Sequence, residues 1–375
     1  MGIFTLKLDN NRKFGLDILR ALAILFVIIE HGSVLLPKKL MAVSEFFIFD
    51  GVSIFFVLSG FLIGGIIIKM FEDNDRMNFK LMSNFWARRW YRTLPNYYLI
   101  LAILTFLNYF FIADFKLWKV KRYIFFSQNL IHSHPSFFGE AWSLSVEEWF
   151  YLIIPVLIAL FLWLFRIKPS KAVVLVAVLT IFSVTAFRYY RHLNIDVSSL
   201  KIWDLFFRKQ VFTRLDSLMY GVIGAYLHYY AFDKWIKFKN LLLVVGILMF
   251  LFSKFYYPNI NGVYFKVFYF SIISLATLFT LPFLSVLKIK AGIFYKPISY
   301  LSLISYSMYL LNLNVIQIWI INRIDWNIFL SNDFLISIIK YIVFWILVIL
   351  LSILLYKYFE LPMMKLRDKK TRNEL

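Results

Sequence analysis

The first strongly apolar stretch of the chain carries ionisable residues at helical spacing. Residues 15–32 read GLDILRALAILFVIIEHG and include Asp17, Arg20, Glu30 and His31. In a helix, Arg20 and His31 lie within about 20° of one face and about 16 Å apart along the axis. Such residues cost about 2.5–3.5 kcal/mol each in lipid, so they are expected to face a polar interior. The pattern therefore predicts a polar cavity inside the protein.

Two interpretations of these residues are open. Asp17 lies one turn before Arg20 and can pair with it, which makes both structural and leaves His31 as a hydrogen-bonded residue near the interface. Alternatively, His31 is a general base, because imidazole titrates near neutral pH without much tuning. Glu30 points about 100° away from His31 and is expected near the outer interface.

Arginines form the second candidate group. Arg89 and Arg92 are three residues apart in FWARRWYRTLPNYY (85–98), just before an apolar run. In a helix their guanidinium groups share one face and can bind phosphate through paired hydrogen bonds. Ordinary positive flanking of a membrane span explains the same residues together with Arg88, so both interpretations stay open.

Two adjacent glutamates occur in WSLSVEEWFYLIIP (142–155). Ser145 and Glu148 have the spacing of a helix-capping box, which predicts a helix that opens at this point. Glu147 points elsewhere, toward the side shared with Tyr151. It is therefore a candidate for orienting a polar partner or a substrate, with a second capping role as the alternative.

Composition identifies the chain as an integral membrane protein. Of its 375 residues, 61% are hydrophobic, whereas soluble domains have about 45–50%. Runs of about 20 apolar residues, enough to cross a bilayer, recur along the chain, and only helices satisfy their backbone in lipid at this length. We predict an all-α, polytopic bundle of about ten transmembrane helices. The predicted spans are 15–36, 48–68, 94–113, 148–165, 172–190, 215–232, 240–253, 264–287, 299–321 and 335–356.

Charge placement predicts the topology. More Lys and Arg fall in the segments that are cytoplasmic when the N-terminus is inside, which favours an N-in/C-in arrangement. We expect one membrane domain over 1–375, with cytoplasmic tails at 1–14 and 357–375. The net charge of +20 is assigned to helix flanks and to contacts with anionic membrane lipids. No nucleic-acid recognition motif accompanies it, so nucleic acid is not an expected partner.

Several kinds of site are excluded by residue type. The chain has no cysteine, so it has neither a thiolate nucleophile nor a Cys-ligated metal. His192 and His228 lack partners at metal-ligand spacing, and no metal is expected.

The ordered set of motifs resembles the acyltransferase-3 family of integral membrane acyltransferases. The arginine and the histidine of the first helix, with ten residues between them, are similar to the family's first motif. The other matching segments are FDGVSIFFVLSGFLIGG (49–65), the Arg-x-x-Arg segment, WSLSVEEWFYLIIP, RLDSLMYGVIGAYL (214–227), SYSMYLLN (305–312) and YKYFELPM (356–363). Family members often have histidine where this chain has Asn312. Some members carry a fused extracytoplasmic hydrolase-like domain, which we expect this chain to lack.

The resemblance implies transfer of an acyl group, usually acetyl, from acetyl-CoA or another acyl-CoA. The implied acceptor is a hydroxyl of a cell-surface glycan or of a lipid-linked saccharide. His31 is then the general base, with Arg20 and Glu147 in the catalytic set, and Arg89 and Arg92 bind coenzyme A. Direct attack by the activated hydroxyl needs no enzyme nucleophile; an acyl-histidine intermediate is the alternative.

Four further residues are assigned to the acceptor: Trp142, Ser143, Tyr151 and Asp17. An aromatic ring beside a carboxylate suits a sugar, although Trp142 can equally be an interfacial anchor. In the N-in topology, Trp142, Glu147 and the basic segment 188–214 fall on the outer side, toward which His31 also lies. Arg20, Arg89 and Arg92 fall on the inner side. This predicts a donor that enters from the cytoplasm and an acceptor that approaches from outside.

A different class of function also fits about ten spans with charges inside them. A transporter or flippase for a glycan, a lipid or a small anion needs a polar path, but the chain lacks the paired, Gly/Pro-interrupted helices of an inverted repeat. A purely structural protein has no need of embedded charges. The expected location is the bacterial cytoplasmic membrane, and the sequence does not indicate an oligomeric state.

Overall fold

The computed structural model describes Leu8 and residues 12–73, 79–289, 292–329 and 331–366, which form helices and turns without a β-strand. The α-helices are α1 (Phe14–Ser33), α2 (Lys38–Phe47), α3 (Gly51–Glu72), α4 (Phe79–Phe111), α5 (Val120–Ile124), α6 (Ala141–Phe165), α7 (Pro169–Asn194), α8 (Leu200–Trp203), α9 (Leu215–Tyr230), α10 (Phe232–Lys237), α11 (Lys239–Phe255), α12 (Tyr269–Val286), α13 (Tyr295–Leu311) and α14 (Asp333–Leu355).

Four π-helical stretches adjoin these helices, at Asp204–Arg208, Tyr264–Phe268, Asn312–Ile318 and Tyr356–Glu360. π-Helical turns are rare and occur frequently at functional sites. Those at 204–208 and 312–318 contribute residues to the sites described below.

The predicted all-α membrane architecture is confirmed. Within the described ranges, seven helical stretches are long and apolar enough to cross a membrane, and each of the ten predicted spans falls on a helix. Three of the predicted spans are not among these seven helical stretches. One falls on α1, which carries Asp17, Arg20 and Glu30. The other two fall on α9 and α11, which have only 16 and 17 residues.

Two of the predicted boundaries that differ from the structure change an interpretation made from the sequence. Helix α6 begins at Ala141, seven residues before the predicted span, so Ser145 lies in its interior and donates a hydrogen bond to the Ala141 carbonyl at 3.1 Å. The capping box predicted there is therefore wrong. At the other end, residues 357–366, which were assigned to the C-terminal tail, are helical. Residues 1–7, 9–11 and 367–375 of the predicted tails lie outside the described residues.

Close contacts between helices place α3 in the interior. Helix α3 packs along α9, and α1 packs against α3, α12 and α13. A Cβ atom on Gly60 would lie 1.9 Å from the Leu218 carbonyl oxygen, and one on Gly221 would lie 2.1 Å from that of Val57. Any side chain at these glycines would separate the helices. Small residues allow membrane helices to approach each other this closely.

Candidate functional site

One pocket collects most of the residues that the sequence singles out. It lies between α1, α3, α4, α6 and α13 and contains about 860 Å³ of space not occupied by atoms. Its polar side chains are Arg20, Ser59, Arg89, Arg92, Thr93, Ser143, Glu147, Tyr151, Ser305, Tyr306 and Tyr309. We call it the arginine pocket. It contains six of the nine predicted site residues, and the remaining three, His31, Trp142 and Asp17, are not in its wall.

The arginines of the pocket come from two helices. Arg20 projects from α1, and Arg89 and Arg92 lie one turn apart on α4, so all three guanidinium groups border the same space. Arg88 is exposed and does not line the pocket. The structure thus separates Arg88, a flanking charge, from the two arginines with which the sequence groups it.

Glu147 lies in the same pocket as these arginines. Its carboxylate accepts hydrogen bonds from the Ser59 hydroxyl at 3.1 Å and from the Tyr151 hydroxyl at 2.9 Å. The predicted separation of Glu147 from the arginines is therefore wrong. The cause is the early start of α6, because Glu147 lies six residues, or about 9 Å, inside a helix that it was expected to open.

Asp17 is held away from the pocket. It is buried, and it accepts hydrogen bonds from Arg12 Nε at 2.8 Å and from the Ser302 hydroxyl at 2.7 Å. Arg20 is farther away, with 3.9 Å between its guanidinium nitrogen and the Asp17 carboxylate. Arg12 is thus the main partner of Asp17, which leaves the Arg20 guanidinium at the pocket wall.

Trp142 is buried as well, with 4% of its surface exposed. The guanidinium carbons of Arg208 and Arg214 lie 5.9 and 5.8 Å from its ring centre, and Phe56 packs against its edge at 6.0 Å. A buried ring in this environment is not an interfacial anchor. Its neighbour Ser143 does line the pocket.

His31 lies outside the pocket wall and is held by Asn312. The His31 Nδ1 and Asn312 Oδ1 atoms are 2.6 Å apart. The Asn312 amide nitrogen donates to the carbonyls of Met308 and Tyr309 at 3.0 and 2.7 Å, so both amide protons are used. The Asn312 oxygen therefore accepts from Nδ1–H of His31. This arrangement leaves Nε2 with a lone pair, as a general base requires.

Glu140 fixes the π-helical stretch in which Asn312 lies. Its carboxylate accepts hydrogen bonds from the backbone N–H groups of Leu313 and Asn314 at 3.1 and 2.8 Å, and also from the Asn314 side chain. Burial raises the pKa of Glu140 to about 7, and these hydrogen bonds oppose that rise. Glu140 was missed by the sequence analysis, because a carboxylate ahead of an apolar run does not indicate a distant partner.

A second buried network lies beside the pocket and holds the C-terminal helix. Glu360 accepts hydrogen bonds from Asn96 of α4 at 2.9 Å and from Ser307 of α13 at 2.6 Å. Glu148 accepts one from Thr93 at 2.8 Å. These bonds join α4 to α6, α13 and the end of the chain, so they stabilise the helices that carry the pocket.

Three arginines of the basic segment 188–214 are buried and do not make the lipid contacts to which its charge was assigned. Arg188 and Asp216 form a fully buried pair at 2.6 Å. Arg191 donates to the Phe206 carbonyl at 2.6 Å, and Arg214 donates to the Ser53 hydroxyl at 2.5 Å. Buried charges in proteins are paired or hydrogen-bonded. Arg188, Arg191 and Arg214 all meet this condition.

Some pocket residues belong to motifs quoted above but were not singled out. Ser305, Tyr306 and Tyr309 all lie in SYSMYLLN, where polar residues at helical spacing interrupt an apolar run. That interruption is the signal that identifies them. Within residues 12–73, 79–289, 292–329 and 331–366, no group of three or more His, Cys, Asp or Glu is placed to hold a metal ion.

Comparison with known proteins agrees with the motifs. Residues 13–357 match the family model of the acyltransferase domain. The chain is 34% identical to the peptidoglycan O-acetyltransferase OatA of Listeria monocytogenes over 168 residues, which are 40% of this chain and 25% of that protein. It is 30% identical to a putative O-acetyltransferase of Staphylococcus aureus strain COL over 227 residues, which are 57% of this chain and 34% of that protein.

The chain therefore covers only a quarter to a third of the length of these curated relatives. No solved structure matches it. The family match covers nearly the whole membrane bundle, including His31, the arginine pocket and Glu140. The chain is an integral membrane protein that belongs to the acyltransferase-3 family.

Proposed function

We propose that the protein is an O-acyltransferase of the bacterial cytoplasmic membrane that moves an acyl group, acetyl in the first instance, from an acyl-CoA to a hydroxyl of a cell-envelope glycan. The observation that carries this proposal is the arginine pocket, with three guanidinium groups at one end of α1 and His31 farther along the same helix. The O-acetyltransferase names of the relatives support it.

The arginines suit the phosphates of coenzyme A. Guanidinium groups bind phosphate with two parallel hydrogen bonds, and their charge does not depend on pH. Arg20 and His31 are separated by about 16 Å along α1, a distance that the extended pantetheine arm of coenzyme A can span. Arg20 is then too far from the thioester for a catalytic role and joins Arg89 and Arg92 in donor binding.

His31 is the base in this mechanism. Its Nε2 takes the proton of the acceptor hydroxyl while the hydroxyl oxygen forms a bond to the thioester carbonyl carbon. The C–S bond then breaks, and the thiolate of coenzyme A leaves with the proton that His31 returns. Asn312 holds Nδ1–H throughout, so the basic nitrogen stays directed at the reacting group.

The direct test uses purified protein in proteoliposomes with radiolabelled acetyl-CoA and peptidoglycan glycan strands. Label on the glycan supports the proposal. Movement of glycan across the bilayer without consumption of acetyl-CoA supports the transporter or flippase alternative, and absence of both reactions contradicts the enzyme assignment for this acceptor.

Asn312 provides a prediction about the orientation of His31. We expect Asn312→Leu to lower kcat by about 10- to 100-fold, a part of the 10²- to 10⁴-fold that a positioned base supplies. Asn312→His should retain more activity, because a ring nitrogen can still accept from Nδ1–H. The measurement is kcat together with the KM for acyl-CoA, which should not change. Equal loss in both variants would assign Asn312 to folding alone.

The two-sided arrangement is tested by cysteine labelling, which is clean because the chain has no native thiol. Arg88 is exposed near the arginine pocket, and Tyr257 is 64% exposed at the opposite end of the bundle. We expect a membrane-impermeant maleimide to label Tyr257→Cys in intact cells and Arg88→Cys only after permeabilisation. Labelling of both from the same side would contradict the N-in topology.

A further inference from the structure

A second cavity lies at the other end of α1 and α3. It contains about 1090 Å³ of space not occupied by atoms. Along α1, Arg20 of the arginine pocket and Glu30 of this cavity are ten residues apart, whereas along α3, Val52 of the arginine pocket and Asp50 of this cavity are only two apart, so the two walls come close on the α3 side. The residues of this cavity that matter here are Glu30, Asp50, Trp203, Arg208, Tyr257 and Tyr269.

The charges of this cavity are of both signs and are paired. The guanidinium group of Arg208 lies 3.2 Å from Glu30, 3.8 Å from Asp50 and 3.5 Å from Asp204. Lys209 completes the cluster, 2.5 Å from Asp204. With Lys201 of the cavity wall, three cations thus balance the three carboxylates, so the cavity has no excess charge to attract an ion. It offers hydrogen-bond acceptors and donors to a neutral molecule rich in hydroxyls.

Aromatic rings form much of the remaining wall, beside Ile48, Leu200 and Lys201. Tyr257 is 64% exposed and packs edge-on against Phe265 at 4.9 Å. Tyr269 contacts Trp203 at 5.6 Å and Phe265 at 5.5 Å. Flat apolar faces beside a few directed polar groups are typical of small-molecule sites. A pyranose ring is complementary to both, because its C–H face covers an aromatic ring and its hydroxyls project from the rim.

The second cavity approaches the arginine pocket at Trp142. Arg208, in the wall of the second cavity, lies 5.9 Å from the Trp142 ring. The ring of Phe56, which lines the arginine pocket, lies 6.0 Å from the same Trp142 ring. Trp142 therefore neighbours residues of both cavity walls, and His31 follows Glu30 directly on α1.

We propose that this second cavity binds an uncharged pyranose unit of the acceptor glycan, with the Glu30–Arg208 pair on its hydroxyls and Tyr257 against its ring. The inference rests on the proposed function, which it deepens by locating the acceptor. It also replaces the predicted acceptor set, because Trp142 and Asp17 are buried and Ser143 and Tyr151 line the arginine pocket.

The test measures saccharide binding without any acyl donor, using protein in nanodiscs and tritiated chitotetraose, a neutral N-acetylglucosamine oligomer. We expect Glu30→Gln and Tyr257→Ala each to weaken binding by about tenfold, which corresponds to about 1.4 kcal/mol. The matched controls are Glu45→Gln, an exposed glutamate outside the cavity, and Tyr358→Ala, which has 61% exposure compared with 64% for Tyr257. Both controls should bind as the wild type does.

Equal binding by wild type and all four variants would overturn the inference and would assign the exposed tyrosine to the lipid interface. Absence of binding to wild type would overturn it as well. Acetyl transfer is measured separately. If the two cavity variants lose saccharide binding and the wild-type protein transfers no acetyl group, the site is supported and the proposed function is refuted. Transfer with an unchanged acceptor KM in both variants would refute the site alone.

Discussion

Replacing His31 with alanine is expected to lower kcat for acyl transfer by about 10²- to 10⁴-fold, the range that a positioned general base supplies. His31 is the histidine whose Nδ1 is held by a side chain, at 2.6 Å from Asn312, so the ring presents Nε2 in a fixed direction. The affinity for acyl-CoA should not change, because Arg20, which borders the arginine pocket, lies about 16 Å from His31 along α1. The measurement is transfer from labelled acetyl-CoA in proteoliposomes.

A structural role for His31 requires a separate control. His132 is exposed in the loop before α6, so His132→Ala removes an imidazole without disturbing the bundle and should keep wild-type turnover. Imidazole added to His31→Ala should restore part of the activity if the missing group is a base. A well-folded His31→Ala protein with wild-type kcat would refute the assignment.

The positions along α1 were predictable because they depend only on helical geometry. Arg20 and His31 were expected on one face from their spacing, and the structure places Arg20 at a polar pocket and His31 on a polar partner. The phosphate-clamp interpretation of Arg89 and Arg92 also depends on local spacing alone. Such local periodicities are the strongest signal that a single sequence contains.

Contacts between distant parts of the chain were not predictable in this way. Helix α6 starts early, and the Glu140 side chain just before it bonds to Asn314, 174 residues away, a pairing that no local pattern contains. The position of Glu147 six residues inside α6 follows from this early start of the helix. From the sequence alone, the arginines of 188–214 are predicted to be surface charges. Their partners, such as Asp216 for Arg188, come into contact with them only when the helices pack.

Replacing Arg89 and Arg92 is the second large effect that we expect. Each of Arg89→Ala and Arg92→Ala should raise the Kd for acyl-CoA by about 10-fold or more, since hydrogen bonds to a charged group are worth about 1.5–3 kcal/mol. The double variant should lose donor binding at accessible concentrations. Lysine should restore binding only in part, because an ammonium group cannot make the paired bonds of a guanidinium.

Arg88→Ala is the matched control for these variants. It removes the same charge from the same turn of α4 and is exposed, as Arg92 also is, but its side chain lies outside the arginine pocket. A role in topology alone predicts that all three alanine variants behave alike, with altered insertion and unchanged donor affinity. Phosphate binding predicts that Arg88→Ala keeps the wild-type Kd while the other two lose it. Calorimetric titration with coenzyme A, and with 3′-dephospho-coenzyme A as a second ligand, distinguishes these results. If the loss in Arg89→Ala or Arg92→Ala is smaller for the dephospho form, that arginine contacts the ribose phosphate; an equal loss places it on the diphosphate.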